Sequence, residues 1–329
     1  MKIIFSFLLL LFITADIANC QNRVEPFQTH NLSPLVHSFA LPTTTGGILQ
    51  EKNHLSIGNY FNIANNATAS QIEGEAIYLD GEMYRDELKL RYGLLSKLEI
   101  GLQVSFVKHS GGFMDPIITG WHKAFSLPGV ARETMGDYHL KYAYLEGEQE
   151  VFDMETNKLQ VGDISMSASI PIFYGSLHYL ALHTFFKFSL GDKKALIGSG
   201  TNDFGLQLTG SIHPDIKAKE FAAFYSLGYL RIGEGALLSD IVSRNVIFGS
   251  TGLAYSINKR WIPKAQLDFH SKFYEKSNMK QLGKGSIQMV LGVDYFLSQK
   301  FVVNAAFTED IIVNTAPDFV LQFGLTYQL

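Results

Sequence analysis

The 329-residue chain has one cysteine, Cys20, and little excess charge, with a formal net of −4. A lone thiol allows no internal disulfide framework. A near-balanced charge with no clustered basic face leaves no footprint for nucleic acid. No linker, charge block or low-complexity tract divides the chain, so one domain is expected. Metal-ligand spacing is missing too: the ten histidines are scattered, and no His/Cys/carboxylate set matches a known first shell. The glycine run GSGTNDFG (198–205) lacks the Lys-Ser/Thr of a phosphate loop. No metal or cofactor is therefore expected.

What the sequence does have begins at Lys2. IIFSFLLLLFI follows it, and then the small and polar TADIANCQN, the pattern of a secretory signal peptide over 1–20. Ala18-Asn19-Cys20 offers a cleavage site, and the rival reading makes Cys20 a lipidated N-terminus. If cleavage follows Cys20, the mature chain carries no thiol through an oxidising periplasm. Residues 21–50 contain RVEPFQTHNLSPLVHSFALP, with three prolines and no clear period. They read as a periplasmic lead or as a segment tucked into a barrel.

From about residue 51 the chain alternates. In DFVLQFGLTYQL, Phe319, Leu321, Phe323, Leu325, Tyr327 and Leu329 share one face and Gln322, Gly324, Thr326 and Gln328 the other. Period two marks a strand with one apolar side. The opposite side is small and polar rather than charged like a soluble sheet's outer face. YRDELKLRYGL, LEIGLQVSF, RWIPKAQLDFH and SIQMVLGVDYF repeat the pattern. Together with the export signal and strands near ten residues long, this predicts an all-β antiparallel transmembrane barrel over 51–329, inserted in the bacterial outer membrane. The uncharged stretch 164–186 would be long enough for a membrane helix, but Pro171, Gly175, Ser176, His178 and His183 make it a hairpin. Early strands are expected at 53–63, 72–94 and 98–109. The total comes to about twelve if 110–160 is one long extracellular or plugging loop. It becomes fourteen if YHLKYAYL crosses the membrane and Asp80-Gly81 is a turn.

The run GGFMDPIITGWHKAFSLPGVAR, the Gly162-Asp163 strand start and FTEDIIVNTAPDFVLQFGLTY resemble an uncharacterised proteobacterial family of outer-membrane barrels, known only as a domain of unknown function. Its GG-x-x-D…W-H…R loop matches Gly111, Gly112, Asp115, Trp121, His122 and Arg132. Its D-G-E step matches Asp80, Gly81 and Glu82, and its late E-D…A-P-D pair matches Glu309, Asp310, Ala316, Pro317 and Asp318. The resemblance implies a location and a fold, and carries no activity.

Within 108–125, KHSGGFMDPIITGWHKAF, Asp115-Pro116 predicts a helix start, and Ile117, Ile118, Trp121 and Phe125 share one side at helical spacing. Pro128-Gly129 would end the helix. At a barrel mouth this helix is expected to plug or gate the lumen over 110–136, with Trp121, His122 and Phe125 at the constriction, Asp115 anchoring the helix, and Gly111, Gly112 and Arg132 counted with them as ligand or gate residues. Ser110 with His109 or His122 is the weaker alternative, a lipid hydrolase. Adjacent strand residues point to opposite faces, which places His109 poorly for activating Ser110. Inside, Arg85, Glu87, Lys89, Arg91, Glu99, Lys264, Asp268, Asp294 and Asp310 are expected to form a charge ladder. The reading is a channel or transporter for a small apolar or amphiphilic molecule. Its expected partners are outer-membrane lipid and, through the C-terminal strand, the barrel-assembly machinery. A structural or adhesive barrel without cargo is the other alternative.

Overall fold

A computed structural model describes residues 22–125, 138–154, 158–311 and 315–329. Residues 1–20, expected to be a signal peptide, and Pro128-Gly129 and Arg132 lie outside the described residues. The strands are β1 (Leu55–Ile72), β2 (Glu75–Leu95), β3 (Leu98–Ser110), β4 (Lys141–Glu146), β5 (Gln149–Met154), β6 (Gln160–Tyr174) and β7 (His178–Phe188). They continue as β8 (Asp203–Ile212), β9 (Phe221–Arg231), β10 (Asn245–Tyr255), β11 (Trp261–His270), β12 (Ser286–Phe296), β13 (Phe301–Asp310) and β14 (Phe319–Gln328). Two short helices are described, α1 (Asp115–Phe125) and α2 (Lys280–Gly283).

The pairings between these strands are all antiparallel, β3 passes to β6, and β14 pairs back onto β1 with Leu321 opposite Ile63. Of the fourteen strands in the sheet, the β4–β5 hairpin stands outside the ring and leaves a closed barrel of twelve. Closure gives every wall strand two neighbours and leaves no edge, the condition for a sheet in hydrocarbon. Among the described residues no helix is long and apolar enough to cross a membrane.

Alternation sorts the two faces. Along β11, Trp261, Ala265, Leu267 and Phe269 are exposed, while Ile262, Lys264, Gln266 and His270 are buried. Leu227, Leu253 and Phe323 are all more than half exposed on the outer surface. Apolar outside and polar inside inverts the soluble arrangement and suits lipid. Paired rings gather where the turns are short: Trp261 with Tyr295 at 4.6 Å, Phe301 with Tyr327 at 4.3 Å, and Phe221 with Tyr255 at 4.6 Å. They form one aromatic girdle. By the rule for such barrels the short-turn end is periplasmic and the long-loop end extracellular.

The first hairpin corrects one expectation, the end of its first strand near 63, and removes the turn on which a count of fourteen depended. Asp80-Gly81 is not a turn. The chain reverses at Glu73-Gly74, with Gly74 at φ +81°, and β1 continues to Ile72 instead of stopping near 63. The hairpin therefore rises beyond the ring. YHLKYAYL contributes β4, which pairs with this extension from Glu75↔Glu146 to Asp80↔Lys141. It extends the wall without adding a membrane strand.

Candidate functional site

Residues 24–50 occupy the lumen and are almost entirely buried. They enter at the periplasmic end, where Asn22–Arg23 pair with Asp215–Ile216 in the turn after β8. Residues 24–31 then climb beside β11 at a constant sequence offset. Gln266 accepts from Phe27 N at 2.9 Å and donates to Phe27 O at 3.3 Å. Thr29 Oγ1 donates to Asp268 at 2.5 Å, and Asn31 Nδ2 donates to His270 Nε2 at 2.8 Å. The wall side chains thus supply the hydrogen bonds that a neighbouring strand would supply, satisfying buried backbone without β-pairing.

The segment turns at Ser33–His37 and descends through 40–50. Ala40 N donates to Asp203, Thr44 Oγ1 meets Ser250 Oγ at 2.6 Å, and Gly47 N donates to Ser211 at 2.8 Å. Gln28 joins the limbs to the wall. Its Oε1 accepts from Thr43 and Lys89 Nζ, its Nε2 donates to Thr44 O, and its carbonyl accepts from Gln322.

The ladder of charges holds this segment. Arg91 pairs with Glu99 at 2.9 Å and donates to Ile48 O at 3.0 Å, while Glu99 accepts from Gln50 N at 2.7 Å. Arg85 pairs with Glu87 at 2.7 Å, and Lys264 with Asp294 at 2.7 Å. Lys264 Nζ also donates to Glu25 O and lies 3.9 Å from the centre of the Phe27 ring. Asp268 is held by Thr29 and Gln266. Asp310, the last of β13, faces Gln288 in register and is likewise engaged.

The extracellular end is apolar. Leu35, Val36 and Phe39 at the turn pack with Phe273, Tyr274, Met279 and Leu282 from the loop after β11, and with Leu238 and Val242 from the loop after β9. Ile77, Leu79, Tyr142 and Tyr144 of the raised hairpins complete the cap. Phe39 stacks on Phe273 at 5.3 Å, and Tyr274 OH donates to Leu35 O at 2.7 Å. Below the segment, on the periplasmic side, a cavity of about 400 Å³ remains, lined by Glu25, Gln50, Tyr60, Arg91, Lys264 and Asp294 among others.

The 108–125 stretch lies elsewhere. Met114 and Ile118 pack on Ile63, with Phe61, Tyr84, Phe319 and Leu321 around it. These are outward residues, since beside them Gln322 points inward, donating to Gln28 O and to Asn62 Oδ1. The start of α1 therefore leans on the outer wall at the β14–β1–β2 seam. Ile117, expected on the packing side, is 61% exposed. Asp115 is the first helical residue: Ile118 N bonds Met114 O ahead of it, and its carboxylate accepts from Asn65 Nδ2 at 2.9 Å and Tyr138 N at 2.9 Å. Glu82 accepts from Phe113 N at 2.8 Å and Met114 N at 2.5 Å. A side chain on Gly111 would meet Tyr138 O, and one on Gly112 the Glu82 carboxylate. The D-G-E step and the GG-x-x-D loop are thus two halves of one anchor. The backbone of Trp121, His122 and Phe125 is helical; their side chains lie outside the described residues.

Ser110 and His109 are not brought together. His109 Nε2 bonds Leu196 O at 3.1 Å inside the barrel, whereas Ser110 Oγ accepts from Gly112 N at 3.3 Å at the loop entry. Sequence reasoning missed Lys187, which is buried between Asp163 and Asp203 at 2.5 and 3.3 Å. Its signal was available: in FFKFS alternation puts Phe186 and Phe188 outward and a lone lysine on the inward face. It also missed Glu82, which only the D-G-E resemblance marked.

A closed ring of twelve antiparallel strands, apolar outside and polar within, belongs to the class of outer-membrane barrels. The family model described as "Protein of unknown function (DUF3187)" matches residues 4–329, and the chain belongs to that family. No curated protein matches its sequence. Among solved structures, the COG4313 outer membrane channel from Pseudomonas putida F1 is similar at 12% identity and TM-score 0.55, over 89% of this chain and 98% of that one. The NanC porin (10% identity, TM-score 0.48, 84% and 100% covered) is a looser likeness. So is the Ralstonia pickettii toluene transporter TbuX (10%, 0.40, 86% and 90%). The likeness is one of fold.

Proposed function

We propose that the chain is an outer-membrane channel, closed by its own residues 24–50, for a small amphiphilic molecule. The observation that carries this reading is the way the segment is held. It fills the lumen through hydrogen bonds to wall side chains, with no ladder to the barrel strands. Releasing it would leave the ring of β-pairs intact. A purely structural barrel could fill its lumen with its own side chains, so a separate occupying segment favours a passage. The fold shared with the Pseudomonas putida channel supports the same reading. An apolar cap over a charged, polar lumen and a cavity of about 400 Å³ suit a molecule with both kinds of surface. That volume falls in the range of small-molecule sites. The start of α1 then braces the rim from outside, since Met114 and Ile118 rest on the outer wall.

Planar-bilayer conductance tests this. Three refolded proteins are compared, each first shown to be folded by heat-modifiable migration: the intact mature chain, one lacking 24–50, and one with 110–136 replaced by a short Gly-Ser turn. At pH 7.5 a steady conductance is expected only from the version lacking 24–50. A channel opened by the loop replacement alone would return the gate to 110–136. No conductance from any of the three would end the channel reading.

A further inference from the structure

Two histidines near the extracellular end have their protonation state dictated by their neighbours. His37, at the turn of the lumen segment, lies with Nδ1 3.1 Å from Arg85 Nη1 and Nε2 2.8 Å from Leu196 O. A guanidinium can only donate. Nδ1 must therefore accept, and the single proton sits on Nε2. On the wall, His270 Nε2 faces Asn31 Nδ2 at 2.8 Å, and its Nδ1 is 2.8 Å from Ser271 O. Asn31 is oriented by Ser33 N, which donates to its Oδ1, and by its own donation to Thr315 O. Its Nδ2 therefore presents a hydrogen, and His270 Nε2 must accept. A second proton on either ring would set N–H against N–H and break a bond between segment and wall.

The charged surroundings offer His37 no compensation. Arg85 and its partner Glu87 face it from β2, His109 from β3 with ring centres 6.0 Å apart, and His30 lies on the ascending limb. Burial, and then the Arg85 charge, hold the His37 imidazole well below the ordinary histidine range. Around His270 stand Phe248 of β10, Gln288 of β12, Phe273 of the following loop, and His30 and Asn31 of the segment. Among the described residues lining that site the carboxylate is Asp268, which is turned to Thr29 and Gln266.

We propose that His37 and His270 form a proton-operated latch, so that acidifying the extracellular side releases residues 24–50 and opens the lumen. The inference rests on the reading of that segment as the closing element. The sign follows from linkage. In the closed state both rings are neutral, whereas a freed ring takes a proton below about pH 6.5. The open state therefore binds more protons, and closure is lost as pH falls below that value. Each ring shifts the equilibrium by up to about tenfold per pH unit.

The test is single-channel recording of the full mature barrel while the loop-side buffer is taken from pH 7.5 to 5. Open probability is expected to rise by up to about a thousandfold and to fall again on return. His37→Asn with His270→Gln keeps an acceptor at each contact but cannot take a proton, and is expected to stay shut at pH 5. The single His270→Gln is expected to show a shallower pH response, which covers the case in which the double variant does not fold. An intact barrel that stays shut at pH 5, while the version lacking 24–50 conducts at both pH values, overturns the latch and leaves the plug standing. Acid opening that is equal in intact and double-variant barrels also overturns the latch. A version lacking 24–50 that never conducts removes the plug, and the latch falls with it.

Discussion

Replacing Lys187 with methionine is expected to lower the folding stability by about 3–5 kcal/mol, the range for breaking a buried ion pair from one side. The lysine side chain is 3% exposed and its two carboxylates are 5% and 0% exposed. Lys187 Nζ also donates to Ser199 Oγ and Thr201 O. Asp163 in turn accepts from Leu190 N, Gly191 N and Ser199 N, which shapes loop 189–202. Asp203 accepts from Ala40 N and Gly233 N, so the same cluster reaches the lumen segment and the loop after β9. Removing the cation leaves two like charges in a dry site with their backbone donors still attached. Urea unfolding followed by tryptophan fluorescence and by heat-modifiable migration would read the loss as a lower midpoint at an unchanged slope. Adding Asp163→Asn and Asp203→Asn to Lys187→Met is expected to recover much of it, because the amide oxygens can still accept the backbone bonds. An unchanged midpoint in the single variant would mean that the carboxylates do not need the lysine.

How far the sequence spoke depends on what selects each residue. Where lipid selects one face and the lumen the other, alternation is enforced, and β11 and β14 could be read residue by residue. Above the membrane that selection stops. Residues 64–72, ANNATASQI, have no apolar face to alternate, and the upper half of β1 could not be told from a loop. The lumen segment has no period for a different reason. Its bonds go to Gln266, Asp268 and His270, residues far away in sequence, and each needs only a backbone or small polar partner. The ladder charges were legible as inward groups because alternation fixes their side. Their partners were not, since Arg85 pairs along its own strand with Glu87 while Arg91 and Lys264 pair across to neighbours. The helix of 115–125 was legible from Asp-Pro and apolar spacing. Its location was not, because Ile117 and Ile118 are equally apolar, and Ile63 and Glu82, set by another hairpin, decide which wall the loop meets.

Gly112→Ala is expected to detach that loop at a cost of about 3–5 kcal/mol. The backbone there is at φ +75°, where an added Cβ is strained by about 1–2 kcal/mol. That Cβ would also stand 1.9 Å from the Glu82 carboxylate carbon. Glu82 is fully buried on the outer wall and accepts from Phe113 N, Met114 N and Tyr84 OH. Displacing a buried carboxylate from its donors adds about 1.5–3 kcal/mol for each bond lost. Gly120→Ala serves as the control. Nothing lies within 4 Å of a Cβ there, and alanine inside a helix gains up to about 1 kcal/mol over glycine. Limited proteolysis at Lys123 is expected to quicken sharply in Gly112→Ala and to stay slow in Gly120→Ala. Conductance separates this anchor from the lumen. A loop that only braces the outer wall can come loose while residues 24–50 still close the barrel, so Gly112→Ala should remain silent in a bilayer at pH 7.5. If it conducts, the unanchored loop was part of the closure, and the two elements gate the barrel together.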